Sequence, residues 1–425
     1  KLENLRDCLI DTEICLTEVS LFSDFGKHLS PKERMLSFYI QESVVEMAES
    51  VSYRKAETLL NKHLHRDGYD SFHSRTIADF IESCGDTLGD AIESHAKIVL
   101  IENNFNPETG LPMDPESLPD SVRKPNIMPD KEMEEKIEAA TKEYNARHED
   151  FQIGSIPDRF LPEEDSSKAV LVSVDDVLVK HQKDERRAGF AKEKKNVANT
   201  VIHIHADGKS YILTAVGIRK AFVQLTAFLL ENGLLENRQL VFLSDGAKEI
   251  KDYAEKFFSW RPYVLILDWF HLAKRIKEFC SMCIKLPKDK KGPIIKKILS
   301  YLWVGNVDGA VEYVRSLKKA IIKNQDILDE MCAYLERKKE NICCHAIRRF
   351  FNLRLSSNAA EKSNDLVVAD RQKHNGMSWS NNGSGALAAL SAAYRNNTLR
   401  LWIQEHDVTM DLKRYGKKAK SSLVA

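Results

Sequence analysis

The stretch Gln239–Arg275, QLVFLSDGAKEIKDYAEKFFSWRPYVLILDWFHLAKR, decides the fold. Leu240–Leu243 is a short apolar run that ends at Ser244-Asp245-Gly246. Tyr263–Leu267 is a second, ending at Asp268-Trp269-Phe270-His271. A helix-length segment joins them. Strand, helix, strand, helix with apolar strands predicts a βαβ-like unit around a buried sheet. Asp245 and Asp268 then stand at the carboxyl ends of their strands, on the rim where open α/β sheets bind ligands. Two rim carboxylates in adjacent units are a candidate divalent-metal site of the kind that cuts or joins phosphodiesters.

Upstream, Ala169–Val174 reads as a strand ending at Asp175-Asp176, and Val197–His205 as a second. Asp207-Gly208 is a hairpin signal, Ser210–Ala215 returns as a third strand, and Arg219–Leu230 reads as a helix. The order β-β-β-α-β-α-β is that of an RNase H-like fold. The expected fold class is therefore α/β, a mixed sheet core over residues 166–268.

The chain has 425 residues, 43% hydrophobic and 30% charged, with a formal net charge of zero. That length predicts two or three domains. No apolar run approaches the roughly 18–20 residues of a membrane span, and no signal-peptide pattern is present. Residues 1–101 read as an all-helical domain with helices at Lys32–Ser50, Tyr53–Leu64 and Arg75–Cys84. Ser74 is the expected N-cap of the third and Gly85 its C′ residue. Helix, a turn containing Gly68, then a helix with Arg75 near its start is similar to a helix-turn-helix that binds DNA. A plain bundle is the alternative.

Residues 102–165 hold 17 acidic and 7 basic residues and eight of the 12 prolines, which predicts an extended linker with one helix at Lys131–Tyr144. Residues 269–357 read as a helical insertion. Within it, 271–350 hold 18 basic and 9 acidic residues, which points either to a polyanion partner or to solvated helix faces. Lys290, Lys291, Lys296 and Lys297 are its densest cluster. Residues 358–405 read as the carboxyl-terminal helices of the core, and 406–425 as a basic, frayed tail with Lys413, Arg414, Lys417, Lys418 and Lys420. Cys280, Cys283, Cys343 and Cys344, with His345, supply enough ligands for zinc. A CxxC at helical spacing among apolar residues reads instead as reduced core cysteine, in keeping with a reducing cytosol.

Four motifs carry a family resemblance: Val174-Asp175-Asp176, Ser244-Asp245-Gly246-Ala247, Asp268-x-x-His271, and Asn358-Ala-Ala-Glu361 followed by Arg371-x-Lys373 and Gly376-Met-x-Trp379-Ser380. In this order, with a helical segment between Asp245 and Glu361, the chain resembles bacterial insertion-sequence transposases with a DDE triad and an RNase H-like core. The resemblance covers about 168–400. It implies Asp175 (or Asp176) as first acid, Asp245 as second and Glu361 as third, together holding two Mg²⁺ or Mn²⁺ ions about 3.5–4 Å apart. Asp268 and His271 would support them. It implies double-stranded DNA as partner, both terminal inverted repeats and target, bound by a homo-oligomer in the bacterial cytoplasm at the nucleoid; the lysine cluster, Arg371 and Lys373 are the expected grips, and Trp379 reads either as core or as a stack for a base. Two other readings are a decayed transposase that only binds DNA and a different RNase H-like metal nuclease.

Overall fold

The computed structural model describes residues 38–65, 71–125, 131–157, 169–182, 196–373 and 377–418. In chain order the elements begin with α1 (Phe38–Ser50), α2 (Tyr53–His63), α3 (Ser74–Glu102) and α4 (Lys131–Arg147). The sheet region comprises β1 (Ala169–Lys180), β2 (Asn196–Ala206), β3 (Lys209–Val216), α5 (Ile218–Glu231), β4 (Gln239–Ser244), α6 (Lys248–Phe258) and β5 (Val264–Leu267). A helical lobe follows: α7 (Trp269–Cys283), α8 (Lys288–Trp303), α9 (Val307–Arg315), α10 (Gln325–Lys338) and α11 (His345–Phe350). The chain closes with α12 (Asn358–Asn364), a π turn (Asp365–Ala369) running into Asp370–Gln372, α13 (Asn381–Asn396), α14 (Leu399–Glu405), α15 (Leu412–Tyr415) and β6 (Lys417–Lys418).

The expected strand and helix order holds. The sheet runs β5-β4-β1-β2-β3-β6, with β1, β4 and β5 parallel and β2 and β3 added as antiparallel hairpin strands. Side chains alternate across it. Val170, Val172, Val174, Ile202 and Ile204 face α5 and α6, whose Phe222, Phe228, Phe257 and Phe258 fill that layer. Val177, Val179 and Val201 face α1, α2, α3 and α13. The lobe closes on its own core around Ile276, Phe279, Ile298 and Met331.

Several expectations need correction. β1 does not end at Asp175-Asp176. Its pairing with β2 continues to Lys180↔Asn196, so both acids lie within the strand. The third helix runs 29 residues, well past Gly85. Gly85 is no cap: a Cβ there would lie 2.4 Å from the Ala386 backbone oxygen, so glycine is what lets α3 and α13 cross. Ser74 is the first helical residue and not the cap; its N–H is taken instead by the Glu57 carboxylate at 2.8 Å. The three N-terminal helices share one core with the sheet and α13, so their packing does not stop at residue 101. The helix expected at Lys131–Tyr144 is present, yet the acidic connector is anchored and not simply extended. Phe105 and Val122 join the sheet core, and Ala140 and Ile153 pack with Ile347. Composition averaged over 102–165 hides these few apolar anchors. The tail is ordered through residue 418, because Met410, Leu412 and Tyr415 are buried and β6 pairs with β3. The turn with Gly68, Gly376, and Lys420 lie outside the described residues.

Candidate active site

Sheet register brings the first two acids together. The parallel pairing of β1 with β4 reaches Ser173↔Leu243, and Asp175 and Asp245 each stand two residues beyond it. Asp175 shares the face of Ser173 within β1, while Asp245 lies just past the end of β4, near enough for its charge to act on Asp175. β4 leaves the sheet at Ser244 because Gly246, at φ +92°, turns the chain. A Cβ on Gly246 would come within 2.8 Å of Leu267 Cδ1, so the turn requires glycine. Asp245 is exposed, and its Oδ1 accepts the Ala247 N–H at 2.8 Å. Past Ser173, β4 no longer pairs with β1, and Asp175 keeps its β2 partner Val201.

Asp176 points to the other face, where its Oδ1 accepts from Thr200 Oγ1 at 2.5 Å. Asp175 faces α12, and its Oδ2 accepts a hydrogen bond from Asn364 Nδ2. Of the two candidates for first acid, Asp175 is the one that shares a side with Glu361's helix.

Asp268 organises the third position. It is fully buried. Its Oδ1 caps α7 by accepting the His271 N–H at 2.9 Å. Its Oδ2 accepts from Ser357 N–H at 2.5 Å and Ser357 Oγ at 2.9 Å, which pins the start of α12 to the end of β5. His271 bridges onward: its Nε2 lies 3.3 Å from Glu361 Oε1, and its Nδ1 lies 3.5 Å from Asp268 Oδ1, off-line for a hydrogen bond. Asp268 and His271 are therefore supports of Glu361's helix. The π turn directly after α12 is a distortion that recurs at functional sites.

The electrostatics fit a crowded anionic site. Burial pushes the Asp175 carboxyl up to about 6, and the charges of Asp245 and Asp176 add to it against the Asn364 hydrogen bond. Burial also raises Asp176, with Glu249 and Asp245 adding to it. Burial would raise Asp268, but the hydrogen bonds from His271 and Ser357 outweigh it and hold the carboxyl below its usual value. The Asp268 carboxylate raises His271, and the charges of Glu361 and Asp245 act the same way. From the lobe, Lys338 Nζ donates to the Gly246 carbonyl at 2.8 Å. Burial and the neighbouring Lys251 lower its pKa while Asp245 opposes them.

Two expected DNA contacts are corrected. Arg371 is buried: its Nε donates to the Ala48 carbonyl at 2.8 Å, and its guanidinium sits 5.0 Å from the rings of both Tyr53 and Trp379. Trp379 is buried too. Its indole N–H reaches the Gln372 carbonyl at 3.2 Å, and its backbone N–H pairs with Lys180 at the end of β1. These residues hold α1, α2 and β1 together and present nothing to DNA. Between Arg371 and Lys373, Gln372 is locked to Ser384, which accepts from Asn199 on β2. Lys373, Lys290, Lys296 and Lys297 are exposed and Lys291 half-buried, with Lys297 Nζ 4.8 Å from the Tyr313 ring. Arg75 is exposed and paired with Asp79 at 3.0 Å. The cysteines do not form a zinc site: Cys280 and Cys283 are buried in the lobe core, while Cys343 and Cys344 fall in two other apolar clusters.

Sequence reasoning missed Asn364, Ser357 and Lys338. Asn364 had a signal, lying one helical turn after Glu361. Lys338 had none, since its contact spans 92 residues of chain.

Among the described residues, no three His, Cys, Asp or Glu side chains lie as a ready-made metal cage. Glu361 is drawn to His271 and Asp175 to Asn364. The donor set still suits a hard divalent cation, because the carboxylates of Asp175, Asp245 and Glu361 are oxygen ligands. Burial is the main cause that raises Asp175, and the charge of Asp245 adds to it. Comparison with protein-family models, curated proteins and solved structures found no match. No helix among the described residues is long and apolar enough to cross a membrane.

Proposed function

We propose that this chain is a DDE-type DNA transposase, an enzyme that cleaves and transfers DNA strands with Mg²⁺ or Mn²⁺. The observation that carries the reading is the placement of the three acids. Asp175 lies within β1 and Asp245 just past the end of its parallel neighbour β4, and Glu361 rides on a helix tied to Asp175 by Asn364 and to the end of β5 by Asp268. A five-strand order of 5-4-1-2-3 with these directions is compatible with an RNase H-like core, and the helical lobe between the second and third acids agrees with the transposase branch that the motifs resemble.

In this reading Asp175, Asp245 and Glu361 hold the metal. Bound there, two divalent ions would lower the pKa of an attacking water or 3′-hydroxyl and stabilise the leaving 3′ oxygen. The protein's own contribution is to bring the three carboxylates to one edge of the sheet, where a bound cation would offset the burial that raises Asp175, and to hold α12 in place through Asp268 and His271. The exposed lysines of the lobe supply sequence-independent attraction for phosphates. Terminal repeats and target DNA are the expected substrates.

The test is strand cleavage of a duplex carrying the DNA that flanks the chain's own coding sequence, with and without Mn²⁺. Asp245→Asn keeps size and removes charge. It should abolish metal-dependent cleavage and leave duplex binding nearly intact. Cleavage at the wild-type rate by Asp245→Asn contradicts the assignment.

A further inference from the structure

A cavity of about 1210 Å³ opens between the connector helix α4 and the lobe. Four aromatic side chains line it: Tyr144 and Phe151 from the connector, Trp269 from the first turn of α7, and Trp303 from the end of α8. All four are half-buried; His148, which also lines the cavity, stacks on Tyr144 with ring centres 4.1 Å apart, and Phe151 meets Tyr301 edge to face at 4.9 Å. Trp269 and Trp303 meet edge to face with ring centres 4.8 Å apart.

The remaining wall mixes four lysines with His148, Ser281, Gly292, Ile295, Leu299 and Ser300. Lys277 comes from α7, and Lys288, Lys291 and Lys296 come from α8. On α8 the lining residues recur every three or four positions, so one helical face builds the wall. Among the described residues no carboxylate lines the cavity. Trp269 directly follows Asp268, yet it lies about 200° around α7 from His271. The cavity is therefore on the opposite side of α7 from the acids.

We propose that this groove binds an unpaired DNA strand, its bases stacked on the aromatic rings and its phosphates held by the lysines. The proposal deepens the DNA-processing reading and rests on it for the choice of DNA. Flat rings and cations without carboxylates fit a chain of stacked bases joined by phosphates. A duplex offers phosphates but keeps its base faces inside the stack. The same geometry divides the lysine cluster read from the sequence: Lys291 and Lys296 line the groove, whereas Lys290 and Lys297 do not.

The experiment titrates the full chain with fluorescein-labelled oligothymidylate in EDTA, against a duplex of equal length. Omitting divalent ions separates this test from metal-dependent cleavage, whose failure would leave the groove standing. Oligothymidylate is expected to quench tryptophan emission and to bind more tightly than the duplex. The surface double variant Lys291→Gln/Lys296→Gln, matched for folded fraction by circular dichroism, should weaken binding roughly tenfold. Its log–log salt slope should be shallower by about 1.4, at about 0.7 per lost single-strand contact. Absent quenching, an unchanged slope, equal or tighter duplex binding, or displacement by oligouridylate at equal concentration would each overturn the proposal.

Discussion

Oε1 of Glu361 lies 3.3 Å from Nε2 of His271, so the helix that follows the lobe is held from the lobe's own first turn. The lobe leaves and re-enters the core within one cluster of side chains. Asp268, at the exit, also binds Ser357, at the return. An insertion placed this way can be long without disturbing the acids.

His271 makes that junction pH-sensitive. Its pKa is raised in the folded chain, so its contribution is complete below its ordinary value near 6.5 and is lost as pH rises through the folded value. With the ring a third exposed, the effect is at most about 1 kcal/mol. Hydrogen exchange of residues 357–364 should therefore show less protection at about pH 8 than at about pH 6, after correction for intrinsic rates, and His271→Ala should remove the difference. Equal protection at both pH values in the wild type would place the junction's stability elsewhere.

Asp175 behaves in the opposite sense to a salt-bridged acid. Its folded pKa of about 6 lies above the unfolded value, so it favours folding most in acid and opposes it as pH rises through that range. Asp175→Asn should stabilise the metal-free chain at neutral pH by roughly 1–2 kcal/mol in urea unfolding. Mn²⁺ should raise the melting temperature of the wild type more than that of the variant. A variant less stable than wild type would show that the Asn364 hydrogen bond outweighs the burial cost of the charge.

Gly85 sets the distance between α3 and α13. Gly85→Ala adds a methyl where the Ala386 backbone stands 2.4–2.6 Å away, so the helices must part. Overpacking of this kind costs roughly 1–3 kcal/mol. Urea unfolding should show that loss despite alanine's better helix propensity. A stabilised variant would mean that α3 is free to shift.

Arg371 is a structural cation between two rings. Arg371→Ala leaves the Ala48 carbonyl without its donor and removes both ring contacts. Roughly 2–4 kcal/mol of stability should be lost. The salt slope of duplex binding, compared at equal folded fraction, should not change. A shallower slope would return Arg371 to the DNA surface.

Much of the sheet was legible because its strands are short apolar runs bounded by Asp-Gly turns, and these local signals survive folding. Asp268 and His271 were legible as a pair through the Asp-x-x-His motif, whereas the capping of α7 by Asp268 emerged only from the fold. The length of β1 was not, since pairing with β2, and not local sequence, carries it past Asp176 to Lys180. Gly85 shows the ambiguity of glycine, which marks a helix end or a helix crossing with the same letter. Arg371 and Trp379 misled for a related reason. Arg and Trp beside a lysine suit a DNA surface, but Tyr53 and Ala48, more than 300 residues earlier, provide a buried socket that no local pattern announces. Asp175 and Asp176 take opposite faces, which the register with β2 fixes and which two adjacent letters of sequence do not separate by role.

The central claim is that Asp175, Asp245 and Glu361 share divalent metal, and anomalous diffraction from crystals soaked in Mn²⁺ tests it most directly. The account predicts anomalous density between the carboxylates of Asp175 and Asp245, with Glu361 swung from His271 to complete the site. Density at Asp176 and Glu249 on the opposite face, or none near the three acids at saturating Mn²⁺, would contradict it.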